Sequence, residues 1–280
     1  MRLGLHLSIK GSIDLVVDRA LERGCTTFQM FSRNPRGWHS KKLTLEEVDG
    51  FRVKLRDSGI WPIFIHTPYL LNLASPKDDV YTKSVDLLKD ELRRAAELGV
   101  PYVVTHLGSH LGYGKMNGFR RIVGAVNDSF SSIENEVVLL LENTAGTRNS
   151  MGSSFEDVEH ILSRIKVSER IGVCFDTSHA FAAGYDLVSR GAVKQTLKRF
   201  DEAVGLERLK LVHLNDSLGG LGSKVDRHEH IGLGKIGEQG FRNILQSRLG
   251  KLPLILETPL DGRRDDLGNL EKVREIVGEE

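Results

Sequence analysis

The stretch Val173-Cys174-Phe175-Asp176 is a short apolar run that ends on a carboxylate. Five other runs have the same design: residues 64–66, 103–106, 139–142, 211–213 and 255–257 end on His66, His106, Glu142, His213 and Glu257. In a parallel α/β protein the carboxyl ends of the strands meet on one face, where active sites are normally built. Six side chains of metal-binding type at such positions therefore predict a multi-metal active site.

Eight strand-like runs alternate with amphipathic helical patterns along the chain. The strands are predicted near residues 3–8, 26–31, 62–66, 102–106, 137–142, 171–176, 209–214 and 252–257. Strict alternation predicts a parallel sheet covered by helices. The count of eight favours a closed (β/α)8 TIM barrel, although one miscounted strand would leave an open doubly wound sheet as the alternative. Because no Pro- or Ser-rich linker divides the chain, residues 1–280 are predicted to form one domain.

Local signals place the ends of two helices. Residues 44–47 form a capping-box pattern, and Gly59 can end the helix that follows. Ser75 is predicted to cap a second helix, with Pro76 at its first helical position and Leu98 near its end.

Two connections that follow strands are long, at residues 32–43 and 215–237. Loops of this size in a compact domain are usually functional, and in a barrel they overhang the same face as the strand ends. The first loop contains Arg33, Arg36 and Lys41. These basic side chains are expected either to contact phosphate groups or to be surface charges that contact only water.

Composition places limits on the class of protein. The formal net charge of +1 does not by itself indicate a nucleic-acid partner. No apolar run approaches the length of a membrane span, and the first residues lack a signal-peptide pattern. With only two cysteines, a disulfide framework is not expected. A reducing, cytoplasmic setting is therefore predicted, without a membrane partner.

Each candidate ligand has a structural alternative. A single histidine at a strand end is more often a hydrogen-bonded structural residue, whereas Glu142 and Glu257 are costly to bury unless they are paired or bound to a metal. The joint occurrence of histidines and carboxylates suits zinc, manganese or iron rather than calcium. His6 is expected beside the ligands, and His110 and His160 on the surface.

Two local motifs extend the set of candidates. Asp176 and His179 are three residues apart after a strand, and Asp226 and His228 are two apart in a Gly-rich loop. His230 follows two residues later, so spacing alone does not decide between His228 and His230.

The chain resembles the endonuclease IV family of zinc-dependent apurinic/apyrimidinic endonucleases over essentially its full length. The motifs that carry the resemblance are HTPYL at 66–70, THLGS at 105–109, LENT at 141–144, GVCFDTSH at 172–179, HLNDS at 213–217, DRHEHIGLG at 226–234 and ETP at 257–259. The segment from 213 to 234 is the most specific of them. Leu218 departs from the pattern, because a lysine is expected after HLNDS.

The resemblance implies a TIM barrel with three Zn²⁺ ions, some of them replaceable by Mn²⁺ or Fe²⁺. It assigns one zinc to His66, His106 and Glu142. Glu142 then bridges to a second zinc, which is also held by Asp176, His213 and Glu257. The third zinc is assigned to His179, Asp226 and His228, and this choice resolves the ambiguity with His230.

The resemblance also implies the reaction and the substrate. The family hydrolyses the phosphodiester bond 5′ to an abasic site in double-stranded DNA, leaving a 3′-hydroxyl and a 5′-deoxyribose phosphate. Glu142 and Glu257 are the implied catalytic residues, with Glu257 orienting the nucleophile. Arg36, Tyr69 and Leu70 match positions that enter the DNA, although Tyr69 and Leu70 could merely cap the barrel mouth. A monomer without a nucleotide cofactor is expected.

Two other functions compete with this one. A sugar isomerase or epimerase on a similar barrel would share Glu142, Asp176, His213 and Glu257, which suffice for one metal. That interpretation leaves five candidates unexplained, namely His66, His106, His179, Asp226 and His228. A non-catalytic protein that binds DNA lesions is the second alternative, and it predicts tight binding of abasic DNA without cleavage.

Overall fold

The computed structural model describes residues 1–278, in which eight parallel strands close into a barrel. The barrel strands are β1 (Leu3–Leu7), β2 (Phe28–Phe31), β3 (Ile63–His66), β4 (Tyr102–Thr105), β5 (Val138–Glu142), β6 (Ile171–Asp176), β7 (Leu209–His213) and β10 (Leu254–Leu256). They pair in chain order, and β10 closes the barrel between β7 and β1. The predicted TIM barrel and its eight strands are confirmed. The last two residues of the predicted domain lie outside the described part of the chain.

Helices cover the outside of the barrel and follow its strands. They are α1 (Leu15–Glu22), α2 (Leu45–Ser58), α3 (Asp78–Leu98), α4 (Lys115–Ser131), α5 (Phe155–Leu162), α6 (Thr177–Ala183), α7 (Arg190–Ala203), α8 (Gly237–Leu245) and α9 (Asp266–Val277). Two short strands, β8 (Asp216–Ser217) and β9 (His228–Glu229), pair antiparallel inside the long loop after β7. Among the helices of residues 1–278, not one combines the length and hydrophobicity that a membrane span requires.

One of the two predicted helix starts is confirmed and the other is wrong. Thr44 caps α2 through reciprocal hydrogen bonds with Glu47. In contrast, α3 begins at Asp78, after both Ser75 and Pro76. The Ser75 hydroxyl accepts the Lys77 N–H at 3.2 Å and so closes a turn before the helix instead of capping it. The end of α3 at Leu98 is as predicted.

The barrel interior has an apolar layer made by one residue from each of six strands. Its members are Phe64, Val104, Leu140, Cys174, Leu211 and Ile255, all completely buried. Because side chains alternate along a strand, the residue two positions later points into the same interior. This register places the next interior position at or just beyond the carboxyl end of each strand.

Candidate metal centre

A polar ring lies above the apolar layer and takes one side chain from each barrel strand or its carboxyl end. Its members are His6, Gln29, His66, His106, Glu142, Asp176, His213 and Glu257. Six of them follow a member of the apolar layer by two residues. The alternation of the strands therefore explains why six separate apolar runs deliver polar groups to one place.

All but one of the predicted ligands fall within three linked groups. His66, His106 and Glu142 form the first group, Glu142, Asp176, His213 and Glu257 the second, and Asp176, His179 and His228 the third. In each group the ligand atoms lie within 4.8 Å of one another. Glu142 and Asp176 each belong to two groups, so the three groups form one continuous array that could hold several metal ions.

Three histidines of the array are held by the backbone. Each lies within hydrogen-bond distance of a main-chain carbonyl through Nδ1: His66 to Thr67 at 2.7 Å, His179 to Asn143 at 2.9 Å and His228 to Glu257 at 3.0 Å. Because a carbonyl oxygen can only accept, Nδ1 carries the proton in each case. The Nε2 atom of a neutral ring then has a free lone pair, which is the arrangement found in metal-binding histidines.

Each of these Nε2 atoms faces a carboxylate. The distances are 3.1 Å from His66 to Glu142, 3.0 Å from His179 to Asp226 and 3.6 Å from His228 to Asp176. The Nε2 atom of His228 is buried without a hydrogen-bond partner among the described residues. A nitrogen lone pair that faces a carboxylate requires a cation between them, either a proton or a metal ion. The donor set therefore fits a metal centre.

The pKa shifts of the ionisable groups in the array also favour a bound cation. Burial raises the pKa of Glu142, but the surrounding histidines, led by His106, outweigh burial and hold the pKa well below its usual value. Burial lowers the pKa of His179, but Asp176 and Asp226 outweigh it and hold the pKa well above its usual value. The Glu142 carboxylate is therefore ionised, and it favours positive charge beside it.

The third group differs from the predicted zinc assignment in one member. Asp176 joins His179 and His228, whereas the predicted ligand Asp226 lies beside the group with Oδ1 3.0 Å from His179 Nε2. The side chain of Asp226 is about half exposed at the edge of the array. Its contact with His179 leaves it adjacent to the third group.

His230 lies outside the array, because both of its ring nitrogens have other partners. Its Nε2 lies 3.0 Å from Asp261, and its Nδ1 accepts from Asn269 at 3.0 Å. The same loop thus contains two histidines with different surroundings, and the one at 228 faces the carboxylates.

A buried carboxylate organises the long loop that follows β7. Asp216 accepts backbone N–H groups from residues across this loop: Ser217, Gly232, Gly234, Ile236 and Gly237. A side chain at Gly234 would place its Cβ 2.4 Å from Asp216 Oδ1, so the close approach requires glycine. Asp216 thereby fixes the loop that carries Asp226 and His228.

The predicted DNA-contacting residues occupy different positions around the mouth. Tyr69 is exposed, stands edge-on to Phe31 at 5.3 Å and lines a cavity of about 360 Å³ over the array. Leu70 is half-buried and Arg36 is exposed in the loop after β2. Neither of them lines the cavity, whose walls include Tyr69 and His106.

Not every cation of the loop at 32–43 is available to a phosphate. Arg33 is buried and forms ion pairs with Glu91 and Asp90 of α3. Arg94 of the same helix donates to the hydroxyl of Ser32 at 2.8 Å. The expectation of a phosphate contact is therefore wrong for Arg33, which instead joins the loop to α3.

Sequence reasoning missed Gln29, whereas His6 lies beside a predicted ligand as expected, with Nδ1 3.2 Å from Oε1 of Glu257. Gln29 is completely buried in β2 and contacts three other members of the polar ring. The sequence feature that could have revealed Gln29 is a polar residue within the otherwise apolar run Phe28–Phe31. An amide is not a preferred zinc ligand, so a pattern of ligand-type residues does not include it.

Comparison with known proteins identifies the class. A sequence model of the family described as xylose isomerase-like TIM barrel matches residues 17–276, so the chain belongs to this family. A D-tagatose 3-epimerase-like protein shares the fold alone, with a TM-score of 0.70 and 22% identity over 100% of this chain and 96% of the other.

More specific matches distinguish the chain within that class. It is 54% identical over 278 residues to the probable endonuclease 4 of Methanoculleus marisnigri, with 99% of each chain covered. It also matches the crystal structure of endonuclease IV from Thermus thermophilus with a TM-score of 0.88 and 40% identity over 100% of both chains. The chain belongs to the endonuclease IV family, as its motifs predicted.

Proposed function

We propose that the protein is a metal-dependent DNA-repair endonuclease that hydrolyses the phosphodiester bond 5′ to an abasic site, leaving a 3′-hydroxyl and a 5′-deoxyribose phosphate. The observation that carries the proposal is the array of three groups linked by Glu142 and Asp176. Membership of the endonuclease IV family supports the same reaction. Residues 1–280 are proposed to act as one domain.

The array is proposed to hold three Zn²⁺ ions, with Mn²⁺ or Fe²⁺ able to replace some of them. The mixture of imidazole and carboxylate donors suits these ions, and the unpartnered Nε2 of His228 supports a ligand at that point. Ions bound there would make water a stronger nucleophile and neutralise charge on the phosphodiester. Asp226 is retained as a proposed ligand because it faces Nε2 of His179.

The two proposed catalytic carboxylates have different surroundings. Glu142 is almost completely buried and faces His66 and His213, so it is suited to bridging two metal positions. Glu257 is partly exposed and lines the cavity over the array. Its access to the cavity would allow it to orient an attacking water and to accept a proton from it.

Recognition of the lesion is assigned to the rim of the mouth. An abasic nucleotide lacks base stacking, so extruding it from the duplex costs less than extruding an intact nucleotide. Exposed Tyr69, together with Leu70, would enter the gap and hold the duplex open. Arg36 would contact the DNA from the loop after β2, which makes binding sensitive to salt.

A sugar epimerase is the second candidate function. The second group alone supplies four donors for one metal, and the fold is shared with a D-tagatose 3-epimerase-like protein. That function has no use for the third group, in which His179 and His228 meet Asp176. The nuclease proposal uses all three groups and is therefore preferred.

The test uses zinc-loaded protein and a labelled duplex with one tetrahydrofuran abasic analogue, which cannot undergo β-elimination. The expected result is a cut 5′ to the analogue that leaves a 3′-hydroxyl, with the same duplex lacking the analogue left intact. A chelator should abolish the cut. An uncut duplex with verified metal content would contradict the proposal, and tight binding without cleavage would favour a lesion-binding protein.

A further inference from the structure

His213 differs from three other histidines of the array in how its ring is held. His66, His179 and His228 use backbone carbonyls, whereas Nε2 of His213 lies 2.8 Å from the side-chain oxygen of Gln29. Its Nδ1 faces the carboxylates, 3.0 Å from Glu142 and 3.3 Å from Glu257. A mutation can therefore remove this support, which is not possible for a main-chain carbonyl.

The chemistry of Glu257 determines the orientation of the Gln29 amide. Nε2 of Gln29 lies 2.7 Å from Oε1 of Glu257, and an ionised carboxylate can only accept a hydrogen bond. The amide nitrogen must therefore face Glu257, and the amide oxygen must face His213. Because that oxygen also only accepts, Nε2 of His213 carries the proton and Nδ1 is free to bind a metal.

The amide nitrogen of Gln29 has a further neighbour. It lies 2.9 Å from Nδ1 of His6, so Gln29 makes three contacts within the polar ring. Turning the amide over would place its oxygen against Oε1 of Glu257, so that two acceptors would face each other with no proton between them. This mismatch would leave buried polar groups without partners, which is costly.

We propose that Gln29 is a positioning residue for the metal held by Glu142, Asp176, His213 and Glu257. The Gln29 amide selects the tautomer of His213 and holds Oε1 of Glu257. The other oxygen of Glu257, Oε2, then faces Nδ1 of His213. Two ligands of one metal are thus oriented by a single side chain that does not itself bind the ion. The inference rests on the proposed metal centre and deepens it.

The first variant is Gln29→Met, which keeps the length of the side chain and loses its strong hydrogen bonds. The affinity for zinc at one position should fall about 10- to 100-fold, as for other residues that orient metal ligands. Thr27→Val is the matched control, because Thr27 lies two residues earlier in the sequence, is completely buried and donates to Pro62 instead of the ring. Zinc binding, measured by competition with a chelator, should be unchanged in the control.

The second measurement reads the tautomer directly. Long-range ¹H–¹⁵N spectra of zinc-loaded wild-type protein, with His213 assigned from His213→Asn, should show Nδ1 coordination. Gln29→Met should lose or weaken that coordination, whereas the control Thr27→Val should keep it.

The outcomes separate this inference from the proposed function. Unchanged zinc affinity in folded Gln29→Met would overturn the role of Gln29 while leaving the metal centre intact. Zinc coordination by Nε2 of His213 in the wild-type protein would also overturn the role of Gln29. This outcome needs no folded variant of Gln29. Wild-type protein that binds no zinc would instead overturn the metal centre itself.

Discussion

The apolar layer and the polar ring are built on the same strands, two residues apart, yet they meet different physical requirements. Leu140 and Glu142 of β5 illustrate the contrast, as do Leu211 and His213 of β7. In the apolar layer any well-packed side chain of similar volume satisfies the interior. In the polar ring each buried group needs a specific partner, because an unpaired one is costly.

This difference shows how a barrel can combine stability with chemistry. The apolar layer excludes water from the interior beneath the ring, while the ring concentrates carboxylates and imidazoles at the open end. Substitutions in the two layers should therefore have separable effects: those in the ring should affect metal binding and catalysis, and those in the apolar layer should affect folding.

The largest expected effect is on catalysis, in Glu257→Gln. The variant keeps the shape of the side chain but loses the charge that would orient and deprotonate water, so cleavage should fall by about 10²- to 10⁴-fold. Single-turnover cleavage of the abasic-analogue duplex measures the change. Ile255→Val, two residues earlier in the apolar layer, is the matched control and should cleave at a near-normal rate. Near-normal cleavage by Glu257→Gln would refute its role.

The alternation of side chains along the barrel strands also explains which site residues could be predicted from the sequence. Strand-end histidines and carboxylates could be predicted because each one interrupts an apolar run at its end. Gln29 could not, because its amide lies within such a run and acts through His213 and Glu257, which are distant in sequence. The pairing of Arg33 with Glu91 was hidden for the same reason.

The position of Asp226 and the start of α3 depend on hydrogen bonds within loops, which the sequence pattern does not reveal. The predicted ligand Asp226 lies beside the third group, with Oδ1 3.0 Å from Nε2 of His179, and its position depends on a loop whose later part is held by Asp216. Hydrophobic periodicity carries no information about such contacts, since the loop is held by a carboxylate that accepts backbone N–H groups. The start of α3 was missed because Ser75 forms a turn with the same type of bond that a cap would use.

The next largest effect is on stability, in Leu140→Ala. Truncating this completely buried side chain should lower the free energy of unfolding by about 2–5 kcal/mol through lost burial and a cavity. Denaturant titration measures the change. The folded variant should still bind zinc with wild-type stoichiometry, whereas Glu142→Gln should lower that stoichiometry. Loss of zinc from folded Leu140→Ala would break the proposed separation of the two layers.

A smaller effect is expected when metal is withdrawn from the polar ring. Zinc bound to the folded array, as proposed, would stabilise it by mass action, by about 2.7 kcal/mol at a free concentration of about 100 times Kd. A chelator should therefore lower the melting temperature, while far-UV circular dichroism at about 25 °C shows that the barrel remains folded over its apolar layer. Unfolding at that temperature on chelation would mean that the ring, and not the layer, maintains the fold.

The smallest expected effect lies at the rim, in Tyr69→Ala. Stacking of an aromatic ring on a base is worth about 1–3 kcal/mol, so affinity for abasic DNA should fall by a corresponding amount. Tyr69→Phe should retain most of the affinity because the ring is kept.

Trp61→Ala is the positional control: Trp61 is also exposed, but it precedes β3 at the opposite end of the barrel from Tyr69. Fluorescence anisotropy in the presence of a chelator separates binding from cleavage. A Tyr69→Ala variant that binds normally but cleaves slowly would move Tyr69 from lesion recognition to the chemistry of the polar ring.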